Sequence, residues 1–142
     1  MLKSKRNYKP GKMDECQTPG YALDPIEQYL FKSNIYFDPA CGEELLLCSL
    51  QERGFTVFGS DIKDGKDFLE IEGVDEDVVI ITNPPFSLKY DFLEMCYELE
   101  RPFALLMPVE TIGSKTAQTS FRMFGIEVVW FDQRVNFKKI IF

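Results

Sequence analysis

The strongest constraint on the fold is the run Asp77 to Thr82, DVVIIT, which passes straight into Asn83-Pro84-Pro85-Phe86. Val78, Val79, Ile80 and Ile81 are consecutive β-branched residues, which suit a pleat. No polar residue alternates among them, so the strand they form has to be covered on both faces, as in the centre of a parallel sheet. In open α/β sheets ligands gather beyond the carboxyl ends of the strands, and Asn83 to Phe86 stands there. Proline fixes its own φ and biases the residue before it towards an extended backbone, so Asn83, Pro84 and Pro85 have little freedom. Neither proline carries an N–H. The Asn83 amide oxygen and the Pro84 carbonyl are therefore free to accept from an outside donor, and Phe86 supplies an aromatic face. A Pro-Pro turn that merely closes a strand, with Phe86 in the core, is the plainer reading of the same four residues.

The rest of the chain alternates strand and helix. Residues 1–15 are polar and basic and read as a flexible arm. Tyr21, Leu23, Ile26, Tyr29 and Leu30 are spaced for an amphipathic helix over 24–32, with Asp24 as a cap and Pro25 in its first turn. Ile35 to Phe37 reads as a strand ending in the turn Asp38-Pro39-Ala40-Cys41-Gly42. Glu43 to Arg53 follows as a helix closed by Gly54. Phe55 to Gly59 is a second strand, and Asp67-Phe68-Leu69 a short segment that could add another. After the central strand, a helix from Leu88 to Leu99, a strand from Phe103 to Met107, a helix from Ser114 to Phe124 and a strand from Ile126 to Phe131 complete the order. Alternation of this kind predicts an α/β fold with a doubly wound, mostly parallel sheet and right-handed crossovers. The expected organisation is the arm followed by one domain over residues 16–142, with no separate target-recognition domain and an incomplete final strand.

Composition removes whole classes of chemistry. There is no histidine, which excludes Ser-His-Asp and Cys-His nucleophiles, histidine metal sites and histidine bases. Cys16, Cys41, Cys48 and Cys96 form no CxxC cluster, so structural zinc and a disulfide framework are not expected. No stretch approaches the roughly 18 apolar residues of a membrane span, and the N-terminus lacks a hydrophobic segment. The expectation is a cytoplasmic protein with no membrane partner. Lys3, Lys5, Arg6, Lys9 and Lys12 precede any acid, so a net charge of −7 leaves −12 on the remainder. That weighs against stable duplex binding by the body alone.

A strand, a glycine turn and a helix make the nucleotide-binding corner of an open α/β sheet. Here the turn ends at Gly42, and Asp61 closes the next strand 19 residues later. About 20 residues is the usual separation between the glycine turn and the acid that holds ribose hydroxyls. The GxGxxG pattern of a pyrophosphate cradle is absent, which favours an adenosyl group with a small tail over a dinucleotide.

Taken in order, these segments resemble the S-adenosylmethionine-dependent N6-adenine DNA methyltransferases, in the gamma-type motif order of phage-encoded Dam-like enzymes. DPACG looks like their cofactor motif, with Asp38, Pro39, Ala40 and Gly42 as the matching residues. Asp61-Ile62 looks like the ribose segment and Asp67-Phe68 like the segment beside the cofactor adenine. Asn83-Pro84-Pro85-Phe86 resembles the catalytic loop, with Asn83 also near the cofactor, and Gln17-Thr18-Pro19 resembles the element that closes over the methionine end. The resemblance implies a Rossmann-like class I methyltransferase fold, S-adenosylmethionine as cofactor, DNA as partner, and methyl transfer to the adenine N6 amine. The same loop also serves enzymes that methylate RNA bases or protein glutamine amides. A catalytically degenerate or truncated methyltransferase-fold subunit acting in binding is the alternative of another class, and a separate recognition subunit or a homo-oligomer is a further expected partner. One departure stands out. The family usually has glycine two residues after Gly42, where this chain has Glu44, a carboxylate expected to crowd or repel the cofactor.

Overall fold

A computed structural model describes residues 16–136 and 138–139, with the side chains of residues 16, 17, 138 and 139 outside the description. The basic residues of the expected arm lie outside the described residues. A short strand, β1 (Cys16–Gln17), precedes β2 (Ile35–Asp38), α1 (Leu45–Glu52), β3 (Thr56–Gly59), β4 (Val78–Thr82), α2 (Lys89–Glu98), β5 (Phe103–Leu105), α3 (Lys115–Phe124) and β6 (Lys138–Lys139). Four of the strands form one parallel sheet in the order β3-β2-β4-β5, and β1 pairs antiparallel with β6 apart from it. This is an α/β fold.

The apolar run Val78 to Ile81 does occupy the middle of the sheet and is covered on both faces. Because side chains alternate along a strand, Phe37, Val78 and Ile80 share one face with Phe68, Phe92, Met95 and Cys96. Tyr36 and Ile81 share the other with Leu23, Leu46, Leu50 and Phe55. Thus α1 covers one face, α2 covers the opposite one, and α3 packs on α2. Ile80 and Leu50 are fully buried. Removing the side-chain methyls of either is expected to cost about 2–5 kcal/mol.

Helix α1 shows how the sequence closes an element. Its last turn runs into Gly54 at φ +83°, a left-handed position that glycine fills without strain. There Gly54 N–H donates to the Gln51 carbonyl and Phe55 N–H to the Leu50 carbonyl, the two bonds of a Schellman ending, and Phe55 packs with Leu50 in the same cluster. The chain then enters β3 directly.

Three expected elements are not formed. Residues 24–32 make no α-helix; two 3-10 turns, Gly20–Leu23 and Glu27–Tyr29, replace it. The bonds that form span three residues, such as Ile26 N–H to the Leu23 carbonyl. Arg53 then fixes the segment by donating to Asp24, Glu27 and the Gly20 carbonyl. Asp67 to Leu69 is not a strand, since Asp67 Oδ1 accepts from Leu69 N–H at 2.9 Å and turns the chain into the 3-10 turn Phe68–Glu70. Ile126 to Phe131 is not a strand either. Its Ile126, Val128, Val129 and Trp130 are exposed and it pairs with no strand of the described sheet. The strand expected to reach Met107 ends at Leu105. No helix among the described residues is long and apolar enough to cross a membrane.

Candidate functional site

The chain leaves β2 towards β3 on one side and comes back to place β4 on the other, so the order of the sheet reverses between β2 and β4. A crevice beyond the carboxyl ends of two such strands is where open α/β sheets take their ligands. Backbone pairing of β2 with β4 extends from Ile35–Val78 to Phe37–Ile80 and no further. Past those residues the chain bears Asp38 to Gly42 on one side and Thr82 to Phe86 on the other. The two motifs singled out in the sequence therefore face the same opening.

The glycine turn is knitted by its own backbone and by two carboxylates. Ala40 N–H donates to Asp38 Oδ1 at 3.1 Å and Gly42 N–H to Asp61 Oδ2 at 2.8 Å. Cys41 N–H donates to the Ser60 carbonyl, and Ser60 N–H to that of Asp38, which ties the turn to the end of β3. Gly59 makes this close approach possible: a Cβ there would lie 2.4 Å from Leu47 Cδ1 and 2.9 Å from Cys41 Cβ. With the amides of Ala40, Cys41 and Gly42 already donating, the turn presents no N–H cradle to a phosphate, and its two carboxylates oppose an anion.

Asp61 thus has a structural task as well as the expected binding one. Its Oδ1 accepts from Lys63 N–H at 3.0 Å and its Oδ2 from Gly42, leaving one lone pair on each oxygen for a pair of hydroxyls. Ile62 follows in the 3-10 turn Ile62–Asp64 and is half-buried. Lys63 reaches the Gly42 carbonyl at 3.0 Å and Glu43 at 3.3 Å.

Asp38 is almost fully buried and has no basic partner among the described residues. Burial pushes its carboxyl up to about 7, against the pull of hydrogen bonds from Thr82 and Ala40, with the Asp61 charge adding to the rise. Burial, then the charges of Asp38, Asp61 and Glu44, push the Cys41 thiol up to about 11, so it stays protonated and unreactive at neutral pH. Glu44 itself is exposed at the start of α1 with φ +64°, a conformation in which glycine is at home. Glycine would take this backbone without strain, and the Glu44 side chain is exposed to solvent.

Across the opening, Pro84 is buried, Pro85 and Phe86 are half-buried, and Phe86–Leu88 forms a 3-10 turn leading into α2. Asn83 Oδ1 is buried and has no hydrogen-bond partner among the described residues. An amide oxygen in that state costs about 1–3 kcal/mol, which a donating ligand would recover. The other buried side-chain atoms without a partner among the described residues are Arg101 Nε, before β5, and Thr111 Oγ1, in the 3-10 turn Val109–Thr111 that follows it.

The remaining expected residues are less closely joined to this opening. Phe68 is a core ring between Phe37 and Phe92, and Asp67 caps its own turn. Thr18 and Pro19 are buried and lead into the turn that packs on α1, held there by Arg53; the Gln17 side chain lies outside the described residues. Two residues were passed over in the sequence. Thr82 looks like the end of an apolar strand and Thr111 like a loop residue, and nothing in their spacing marks them. Comparison of the chain with protein-family models, with curated proteins and with solved structures finds no match.

Proposed function

We propose that the protein is an S-adenosylmethionine-dependent methyltransferase of the N6-adenine DNA type, acting on an exocyclic amine held at Asn83. The observation that carries this reading is the unpartnered Asn83 Oδ1 beside the sheet's switch point, an acceptor awaiting an N–H donor. Asp38, Pro39, Ala40, Gly42, Asp61 and Ile62 would hold the cofactor, and the spent amides of the turn suit a ligand without phosphate there. When bound, S-adenosylmethionine supplies an electrophilic methyl group. The chain's part is positioning. Asn83 Oδ1 and the Pro84 carbonyl accept the two N–H bonds of the amine and aim its lone pair, while Phe86 holds the ring by its face. In a duplex the base would first leave the stack. The proton released on methyl transfer goes to solvent.

A second reading keeps the chemistry and changes the substrate to a protein glutamine amide. It is favoured by the rim, where exposed Glu43, Glu44 and Asp64 outnumber Lys63 and oppose a phosphate backbone. On the nucleic-acid reading the compensating charge comes from the five basic residues before Asp14. Calorimetric titration with S-adenosylmethionine, followed by labelled-methyl transfer to unmethylated DNA, RNA and glutamine-bearing protein, decides between them. On the best acceptor, Asn83→Ala is expected to lower kcat about 10²-fold to 10³-fold with cofactor affinity unchanged. Turnover near the wild-type rate, in a variant shown by circular dichroism to be folded, would end the proposed role of Asn83.

A further inference from the structure

Thr82 is the last residue of β4, is almost fully buried, and immediately precedes Asn83. Its hydroxyl donates to Asp38 Oδ1 at 2.6 Å, a length in the range of charge-assisted O–H···O⁻ bonds. The same oxygen accepts from Ala40 N–H, so one carboxylate atom holds both the start of the glycine turn and the end of the strand that carries the acceptor loop. The bond lies past the last paired residues, Phe37 and Ile80, where the two strand ends are no longer joined by the backbone ladder. It bridges the mouth of the crevice.

We propose that Thr82 is a positioning residue for the reaction, which through Asp38 holds the cofactor turn in register with Asn83. This rests on the methyltransferase reading and adds to it a residue and a pH dependence. The charged groups around Asp38 are few. Among the described residues Asp61 acts on it from the turn after β3, and the neutral Cys41 thiol lies in the turn into α1, where Glu44 acts on Cys41; Lys63 is already held by Glu43 and the Gly42 carbonyl, and β4 brings Thr82. An ionised Asp38 accepts from Thr82 and Ala40 more strongly than a neutral one, so ordering of the turn, and with it cofactor binding, is linked to loss of the proton. Wild-type affinity for S-adenosylmethionine therefore rises with pH through about 7. Without the Thr82 donor the carboxyl ionises less readily, and that midpoint moves up.

The test is the affinity for S-adenosylmethionine by calorimetry from pH 6 to pH 9 in the wild type, Thr82→Val and Thr82→Ser. If one lost bond moves the midpoint by about one unit, the weakening in Thr82→Val is roughly eightfold greater at pH 6 than at pH 9, on top of the loss common to every pH. Thr82→Ser, which keeps the hydroxyl, returns the wild-type curve. A merely structural role would weaken binding by the same factor at every pH, and that result, or superimposed curves, would overturn the proposal. Should Thr82→Val not fold, Asp38→Asn serves in its place: its affinity should be flat across this range, and a midpoint persisting near 7 would overturn the proposal equally. A wild type that binds with no pH dependence sinks this inference alone; a wild type that does not bind at any pH sinks the cofactor reading and this inference together.

Discussion

Asp38→Asn should stabilise the folded chain at neutral pH while impairing what the site does. The carboxyl sits near 7 in the folded protein against an ordinary value of 3.8, because burial penalises its charged form more than Thr82 and Ala40 favour it. A carboxyl raised in the folded state keeps its proton after the unfolded chain has released its own. Its contribution to stability is therefore fully present below about 3.8, falls as pH rises between 3.8 and 7, and is lost above 7. Three units at 1.36 kcal/mol each give roughly 4 kcal/mol as the size of that loss. Asparagine keeps an oxygen to accept from Thr82 and Ala40 and has no charge to bury. The other titrating groups are common to both chains, so they cancel when the two are compared. Urea unfolding at closely spaced pH values should show near-equal stability at pH 3.5 and a gap that opens in favour of Asp38→Asn up to pH 7.5, then stays level. Parallel curves would refute the account, as would a gap that closes with rising pH.

Two further predictions separate backbone demands from charge. Glu44→Gly relieves a left-handed position worth about 1–2 kcal/mol but gives back about 0.5–1 kcal/mol through the greater freedom of the unfolded chain, so thermal unfolding should show a change of between about 0 and 1.5 kcal/mol, in the stabilising direction. Its exposed carboxylate is screened by water, and affinity for S-adenosylmethionine should stay within about fivefold of wild type; a tenfold gain by calorimetry would mean that Glu44 does oppose the cofactor. Gly59→Ala would press its methyl onto Leu47 and Cys41 and is expected to cost about 1–3 kcal/mol in urea unfolding, with a looser glycine turn; a variant as stable as the wild type would show that the turn and β3 can part without penalty.

The parts of this fold that could be read in the sequence are those whose cause is local. Val78 to Ile81 had to be buried on both faces wherever it lay, and Gly54 ends α1 by a rule that needs only the residues on either side of it. The expectation for residues 24–32 failed on a contact that is not local: Arg53, beyond the end of α1, holds Gly20, Asp24 and Glu27 in 3-10 turns, which apolar spacing does not show. Ile126 to Phe131 failed for a different reason. Its β-branched and aromatic residues are fit for a pleated, half-buried surface, but fitness of that kind becomes a strand only where a neighbour completes it. The outer edge of β5, the terminal strand of the sheet, has no such partner among the described residues.

At the site the division runs between residue identity and what each residue already holds. Spacing singled out Asp61 as an acid for ribose hydroxyls, but spacing does not say that the glycine turn consumes part of that carboxylate through the 2.8 Å bond from Gly42 N–H. Thr82 is the converse case. Its type carries no signal at the end of an apolar strand, and it acquires a role only when parallel pairing sets β4 against β2 and brings its hydroxyl to a carboxylate 44 residues earlier in the chain. The proposed ligand class rests on the same accounting of donors and acceptors. A turn whose amides are spent on Asp38, Ser60 and Asp61 rejects a phosphate, and a loop of two prolines beside an unpaired Asn83 oxygen asks for a donor. On the proposed reading, turn amides already spent and a free acceptor at Asn83 would suit an amine to be alkylated better than a phosphoryl group.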